Sequence, residues 1–175
     1  TGQHYSYTLD SIFLDELNIP TPKYNLQIGS ESHSTQTAKM MMGIEKILLY
    51  ENPDCVLVQG DTNTVLAGAL TAAKMDIKIG HVEAGLRSYD NSMPEEINRK
   101  ITDHISDFLF APTNVAKTYL SLEGLDTNCW VVGNTIVDSL NEYVEYSNKS
   151  DILDQINIES KQYFLVTAHR QGNVD

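Results

Sequence analysis

The sequence predicts an α/β fold built on a parallel sheet. Three observations carry that prediction. Short apolar runs of strand length alternate along the chain with segments of helical periodicity. The run Cys55 to Val58 is continuously apolar, as expected of a strand buried on both faces. Each run ends in a small or polar loop before the next helix, the order that right-handed crossovers produce.

The elements follow in turn. Residues 5–17 read as a helix, with Leu9, Ile12, Phe13 and Leu17 on one face and Asn18-Ile19-Pro20 as its stop. Residues 20–33 read as a loop. A longer helix is expected from about Thr35 to Tyr50, with Met41, Met42, Ile44, Ile47 and Leu48 as its apolar side. Its Met40-Met41-Met42 run reads as adaptable core filler. Cys55 to Val58 is a strand, followed by the loop Gln59-Gly60-Asp61-Thr62 and a small-residue helix from Thr64 to Lys74. Ile77 to Val82 is a strand ending at Glu83-Ala84-Gly85. A helix runs from Pro94 to Ser106, with Pro at its first turn, where no N–H is needed. Phe108 to Phe110 is a strand ending at Ala111-Pro112-Thr113, and a helix covers about Val115 to Leu122. Trp130 to Val132 is a strand ending at Gly133-Asn134-Thr135, and a helix follows to Tyr146. After a short helical stretch near Ile152–Ile156, Tyr163 to Val166 is a last strand, ending at Thr167-Ala168-His169-Arg170.

Composition narrows the function classes. The chain has 175 residues with 24 Asp+Glu against 12 Lys+Arg, a formal net charge of −12. Such a chain has no surplus of cations for phosphates, so nucleic acid is not an expected partner. No apolar run approaches the ~18–20 residues that cross a bilayer, so no membrane partner is expected. Thr1-Gly2-Gln3-His4 is not a charged-then-apolar leader, so no signal peptide is expected. Cys55 and Cys129 lack CxxC spacing and read as reduced, buried thiols of a cytoplasmic protein.

Ligands of parallel sheets bind at the carboxyl ends of the strands. Asp61, Glu83, Pro112-Thr113, Asn134-Thr135 and His169 all fall on that edge. Asp61 follows its strand through one Gly, and an Asx-turn or helix cap would also explain it. Glu83 ends an apolar strand beside Ala84 and Gly85, which admit close approach to the backbone. A partly desolvated carboxylate there suits acid/base work. Glu95 and Glu96 open a helix, where they complement its dipole, and Arg99 can pair with Glu95 at i,i+4. Arg87, Arg99 and Arg170 supply cations for an anionic substrate. Together these groups suit proton transfer on a charged small molecule. His81, Glu83, Asp61 and His169 could form an N/O metal site, but no compact ligand spacing occurs and no metal is expected. No GxxxxGK[ST] or GxGxxG loop is present, so neither P-loop phosphoryl transfer nor NAD binding is supported.

Seven ordered blocks carry a further signal. They are Thr1-Gly2-Gln3-His4, Gly60-Asp61-Thr62, His81 to Ser88 (HVEAGLRS), Met93 to Arg99 (MPEEINR), Phe110-Ala111-Pro112-Thr113, Gly133 to Asp138 (GNTIVD), and Thr167-Ala168-His169-Arg170. Together they resemble the non-hydrolysing UDP-N-acetylglucosamine 2-epimerases over essentially the whole chain. The resemblance implies a glycosyltransferase-B type fold of two Rossmann-like domains with the UDP-sugar in the cleft between them. It assigns residues 1–146 to most of the first domain, whose first strand and Gly-Thr-Arg-Pro-Glu loop would precede Thr1. Residues 147–175 would form the linker, a helix and the first strand of the second domain, most of which would follow Asp175.

The implied reaction interconverts UDP-GlcNAc and UDP-ManNAc. The C2 proton is removed, UDP leaves to give 2-acetamidoglucal, and UDP re-adds after protonation on the other face. The resemblance makes Asp61, Glu83 and Glu95 the acid/base carboxylates and places His169 near the leaving diphosphate. Arg99 supports them, and Gln3 and His4 match an allosteric UDP-GlcNAc site. No cofactor is implied, and a homodimer is expected. Three alternatives stay open: a related UDP-diacetamido-uronate 2-epimerase, a metal-dependent hydrolase on the same carboxylates, and an inactive UDP-sugar-binding fragment.

Overall fold

The computed structural model describes residues 1–2 and 11–167. In chain order the elements are α1 (Ser11–Glu16), α2 (His33–Glu51), β1 (Cys55–Gln59), α3 (Asn63–Lys74), β2 (Lys78–Val82), α4 (Pro94–Ile105), β3 (Phe108–Ala111), α5 (Asn114–Leu122), β4 (Cys129–Val131), α6 (Thr135–Ser147) and α7 (Ile152–Gln155). Two compact units result, Thr1–Asn134 and Thr135–Asp175. The second holds α6 and α7. The first holds a four-stranded sheet in the order β1-β2-β3-β4 with every neighbouring pair parallel. The α/β, parallel-sheet, Rossmann-like class read from the sequence is the class observed.

Helix ends follow local chemistry. Ser32 caps α2, its Oγ accepting from Thr35 N at 3.4 Å, and Asn52 ends it in the left-handed region at φ 45° just before Pro53. Pro94 opens α4. Thr113 caps α5, its Oγ1 accepting from Ala116 N at 3.1 Å.

Three of these strands are joined to the next by α3, α4 and α5 in turn. Right-handed crossovers that step in one direction put all three helices on one sheet face. The register shows the consequence. Val58, His81, Leu109 and Cys129 pair in one row across the four strands, and all four are buried. The row before it runs Leu57, Gly80, Phe108, and Leu57 is 67% exposed. The expectation of strands buried on both faces therefore fails for β1. The same alternation explains Cys55, which is exposed where a buried thiol was expected, while Cys129 is buried.

Two apolar clusters hold the helix layer. One joins Leu48, Val58, Val65, Ala69, Ala72 and Ile79; the other joins Ala84, Leu109, Ala111, Ala116, Leu120 and Cys129. The small residues of α3 allow close approach, and Ala67, Ala69 and Ala72 are fully buried. In α2 Gln36, Met40 and Leu48 are buried and Ile44 packs against the core, while Met42 of the expected apolar side is exposed. Residues 163–166 carry the expected apolar run but pair with no strand among the described residues, and Phe164 is 99% exposed. An apolar run becomes a strand only where a neighbouring edge accepts its hydrogen bonds.

Candidate active site

Gln59 and Val82 are the last paired residues of β1 and β2. The chain then leaves both strands through tight backbone. Gly60 adopts φ 83° and its N–H donates to Val82 O at 3.1 Å. Glu83 adopts φ 72°, a left-handed conformation that strains a residue with a side chain. Its N–H donates to Phe110 O at 3.1 Å, and Ala84 N donates to the same oxygen at 3.2 Å. Strain of this kind, held by neighbouring strands, concentrates at functional sites. Asp61 and Glu83 thus stand just past the ends of adjacent strands. Gln59 Nε2 donates to Glu83 Oε1 at 3.2 Å.

Helix α4 supplies the cation. Arg99 Nη2 donates to Asp61 Oδ2 at 2.6 Å, and its Nη1 donates to Glu96 Oε2 at 3.2 Å. The Glu95–Arg99 pair that the spacing offers is not formed; Arg99 instead bridges Asp61 and Glu96. Glu96 is fully buried. Burial alone would raise its carboxyl, but Ser88 N, Ser88 Oγ and Tyr89 N donate to it with help from Arg99, and the balance brings it down to about 2. A polar thread continues outward. Asn98 Nδ2 donates to Asp61 O at 2.8 Å and to Asn63 Oδ1 at 3.3 Å, and Asn63 Nδ2 donates to Gln36 Oε1 at 2.9 Å. A groove of about 460 Å³ opens beside it, lined by the N-terminal parts of α2, α3 and α4.

A second network lies under the Glu83 loop. Asp103 Oδ1 is 2.6 Å from His81 Nδ1, and its Oδ2 accepts from Gly85 N at 3.1 Å and Arg87 Nη1 at 2.7 Å. Arg87 also grips Glu123 through two 2.7 Å bonds from Nε and Nη2. Burial alone would push the Arg87 guanidinium down, but Glu123 and Asp103 outweigh it and hold it above the ordinary arginine range.

The structure therefore brings Asp61, Glu83 and Arg99 to one sheet edge. Glu95 lies in the first turn of α4 and is exposed. The Arg87 side chain is fully buried, with its donors on Asp103, Glu123 and Leu86 O. Gln3, His4, His169 and Arg170 lie outside the described residues. Among the described residues no group of three or more His, Cys, Asp or Glu is placed to hold a metal ion. Sequence reasoning missed Glu96, Asn98 and Asp103 as parts of the site, and it weighed His81 only as a metal ligand. Their signal was helical: 96, 99 and 103 fall on one face of α4.

Comparison with known proteins decides the family. The sequence profile described as UDP-N-acetylglucosamine 2-epimerase matches residues 1–175. The chain belongs to that family. It is 56% identical to a UDP-N-acetylglucosamine 2-epimerase of Methanocaldococcus jannaschii over 180 residues, covering 100% of this chain and 49% of that protein. It is 43% identical to a UDP-2,3-diacetamido-2,3-dideoxy-D-glucuronate 2-epimerase of Pseudomonas aeruginosa, again over 100% of this chain and 49% of that protein. The crystal structure of Methanocaldococcus jannaschii UDP-GlcNAc 2-epimerase in complex with UDP-GlcNAc and UDP matches with a TM-score of 0.85 and 57% identity, covering 89% of this chain and 43% of that one. The chain spans about half the length of the relatives it matches.

Proposed function

We propose that the protein containing this chain interconverts UDP-GlcNAc and UDP-ManNAc. The carrying observation is the pair of carboxylates, Asp61 and Glu83, at the carboxyl ends of adjacent parallel strands, with Arg99 against Asp61. C2 of the sugar carries an unactivated C–H. Its deprotonation needs a carboxylate base, and departure of UDP from C1 needs cations to stabilise the developing charge. In the proposal one carboxylate of the set Asp61, Glu83 and Glu95 takes the C2 proton. Elimination of UDP leaves 2-acetamidoglucal, another carboxylate returns a proton to the opposite face of C2, and UDP re-adds at C1. His169, Arg170 and Arg99 serve the diphosphate side. Arg87 acts from beneath, holding the Glu83 loop through Asp103. Gln3 and His4 are assigned to an allosteric UDP-GlcNAc site.

The domain assignment goes with this reading: residues 1–146 belong to the first Rossmann-like domain, and 147–175 lead into the second. A homodimer in the cytoplasm completes the proposal. No helix among the described residues is long and apolar enough to cross a membrane.

A second reading, epimerisation of a UDP-diacetamido-uronate, is favoured by the 43% identity to the Pseudomonas aeruginosa enzyme. NMR product analysis with the protein at the full length of its relatives separates them. UDP-ManNAc from UDP-GlcNAc supports the first reading; turnover of the diacetamido-glucuronate alone supports the second.

A further inference from the structure

His81 is fully buried in the strand row beneath the site and has acceptors on both ring nitrogens. Nδ1 lies 2.6 Å from Asp103 Oδ1, and Nε2 lies 2.8 Å from the carbonyl oxygen of Gly60. A carbonyl oxygen can only accept, so Nε2 must carry a proton. Asp103 Oδ2 in turn accepts from Gly85 N at 3.1 Å and from Arg87 Nη1 at 2.7 Å.

This geometry ties together two loops that the sequence separates. The Nε2 bond ends on Gly60, the residue before Asp61. The Asp103 bond ends on Gly85, two residues after Glu83. We propose that His81 is a positioning residue that, through Asp103, fixes the Asp61 loop against the Glu83 loop. It touches no substrate. Its contribution is the spacing of two carboxylates, and a misplacement of about 1 Å at such a site costs about 10²-fold in rate. The catalytic consequence rests on the epimerase reading; the link between the two loops does not.

Two measurements test it. Amide hydrogen exchange reads the link directly. In the full-length protein, His81→Gln can keep a donor for Gly60 O but loses the contact with Asp103. The expected result is a kcat about 10²-fold lower with KM for the UDP-sugar within about threefold. An unchanged kcat overturns the positioning role. If the full-length protein lacks epimerase activity, that reading fails, and amide exchange then decides the link: His81→Gln should speed exchange at Gly60 and Gly85 together, and unchanged exchange at either overturns it.

Discussion

Arg99 reaches back 38 positions to set Nη2 2.6 Å from Asp61 Oδ2, while Nη1 stays 3.2 Å from the buried Glu96 three residues before it. One planar guanidinium thus joins the β1 loop to α4. Lysine keeps the charge but is a single point donor and cannot span both carboxylates. Arg99→Lys should lower kcat/KM of the full-length protein by about 10²-fold. Steady-state kinetics check this, and wild-type rates would remove Arg99 from the site.

Glu96 links the network to acid stability. Its carboxyl lies at about 2 in the folded chain, below the ordinary value of 4.5. A depressed carboxyl stabilises the fold above the unfolded value and loses that contribution as pH falls through the folded one. On the order of 3 kcal/mol should therefore disappear between about pH 5 and pH 2. Urea unfolding across that range should show the loss. Glu96→Gln should be less stable at pH 7 and lack this part of the pH slope.

Two glycines with the same φ should respond differently to alanine. Gly60 and Gly85 both adopt φ 83°. A Cβ at Gly60 meets nothing within 4 Å, whereas at Gly85 it would come within 2.4 Å of Ala116 O and 2.8 Å of Leu120 Cγ. Gly60→Ala should cost about 1–2 kcal/mol from backbone strain alone. Gly85→Ala should cost roughly 1–3 kcal/mol more, because the clash is with helix backbone. Denaturant midpoints of the two variants test the difference.

Glu83 carries the strained backbone and the proposed acid/base role. Glu83→Gln preserves shape and the Gln59 contact site while removing the base. In the full-length protein it should lower turnover by about 10²–10⁴-fold while leaving the unfolding midpoint near that of the unaltered protein. Equal turnover would exclude Glu83 from proton transfer.

Much of this was legible in the sequence, because strand and helix periods and the loops between them are local properties. The alternation alone puts Asp61 and Glu83 on one sheet edge. Helix α4 shows what was not legible. Its two isoleucines at i,i+4 spacing, Ile97 and Ile101, are exposed, and the helix instead buries Glu96, Asn98, Thr102 and Asp103. Polar residues face inward only when partners on other elements satisfy them. Those partners, Ser88, Tyr89, Asp61, Asn63 and His81, are set by tertiary contact. The open face of β1 was hidden for the same reason: the apolar run Cys55 to Val58 does not say which sides have helices to cover them.

The central claim is that a proton leaves C2 of the sugar and returns from solvent-exchanged groups. Incubation of the full-length protein with UDP-GlcNAc in D₂O, followed by NMR at C2, measures this directly. Deuterium at C2 of UDP-ManNAc, appearing as the epimer forms, is the predicted result. Epimer that retains its C2 proton, or no epimer at all from active-concentration protein, would contradict the account.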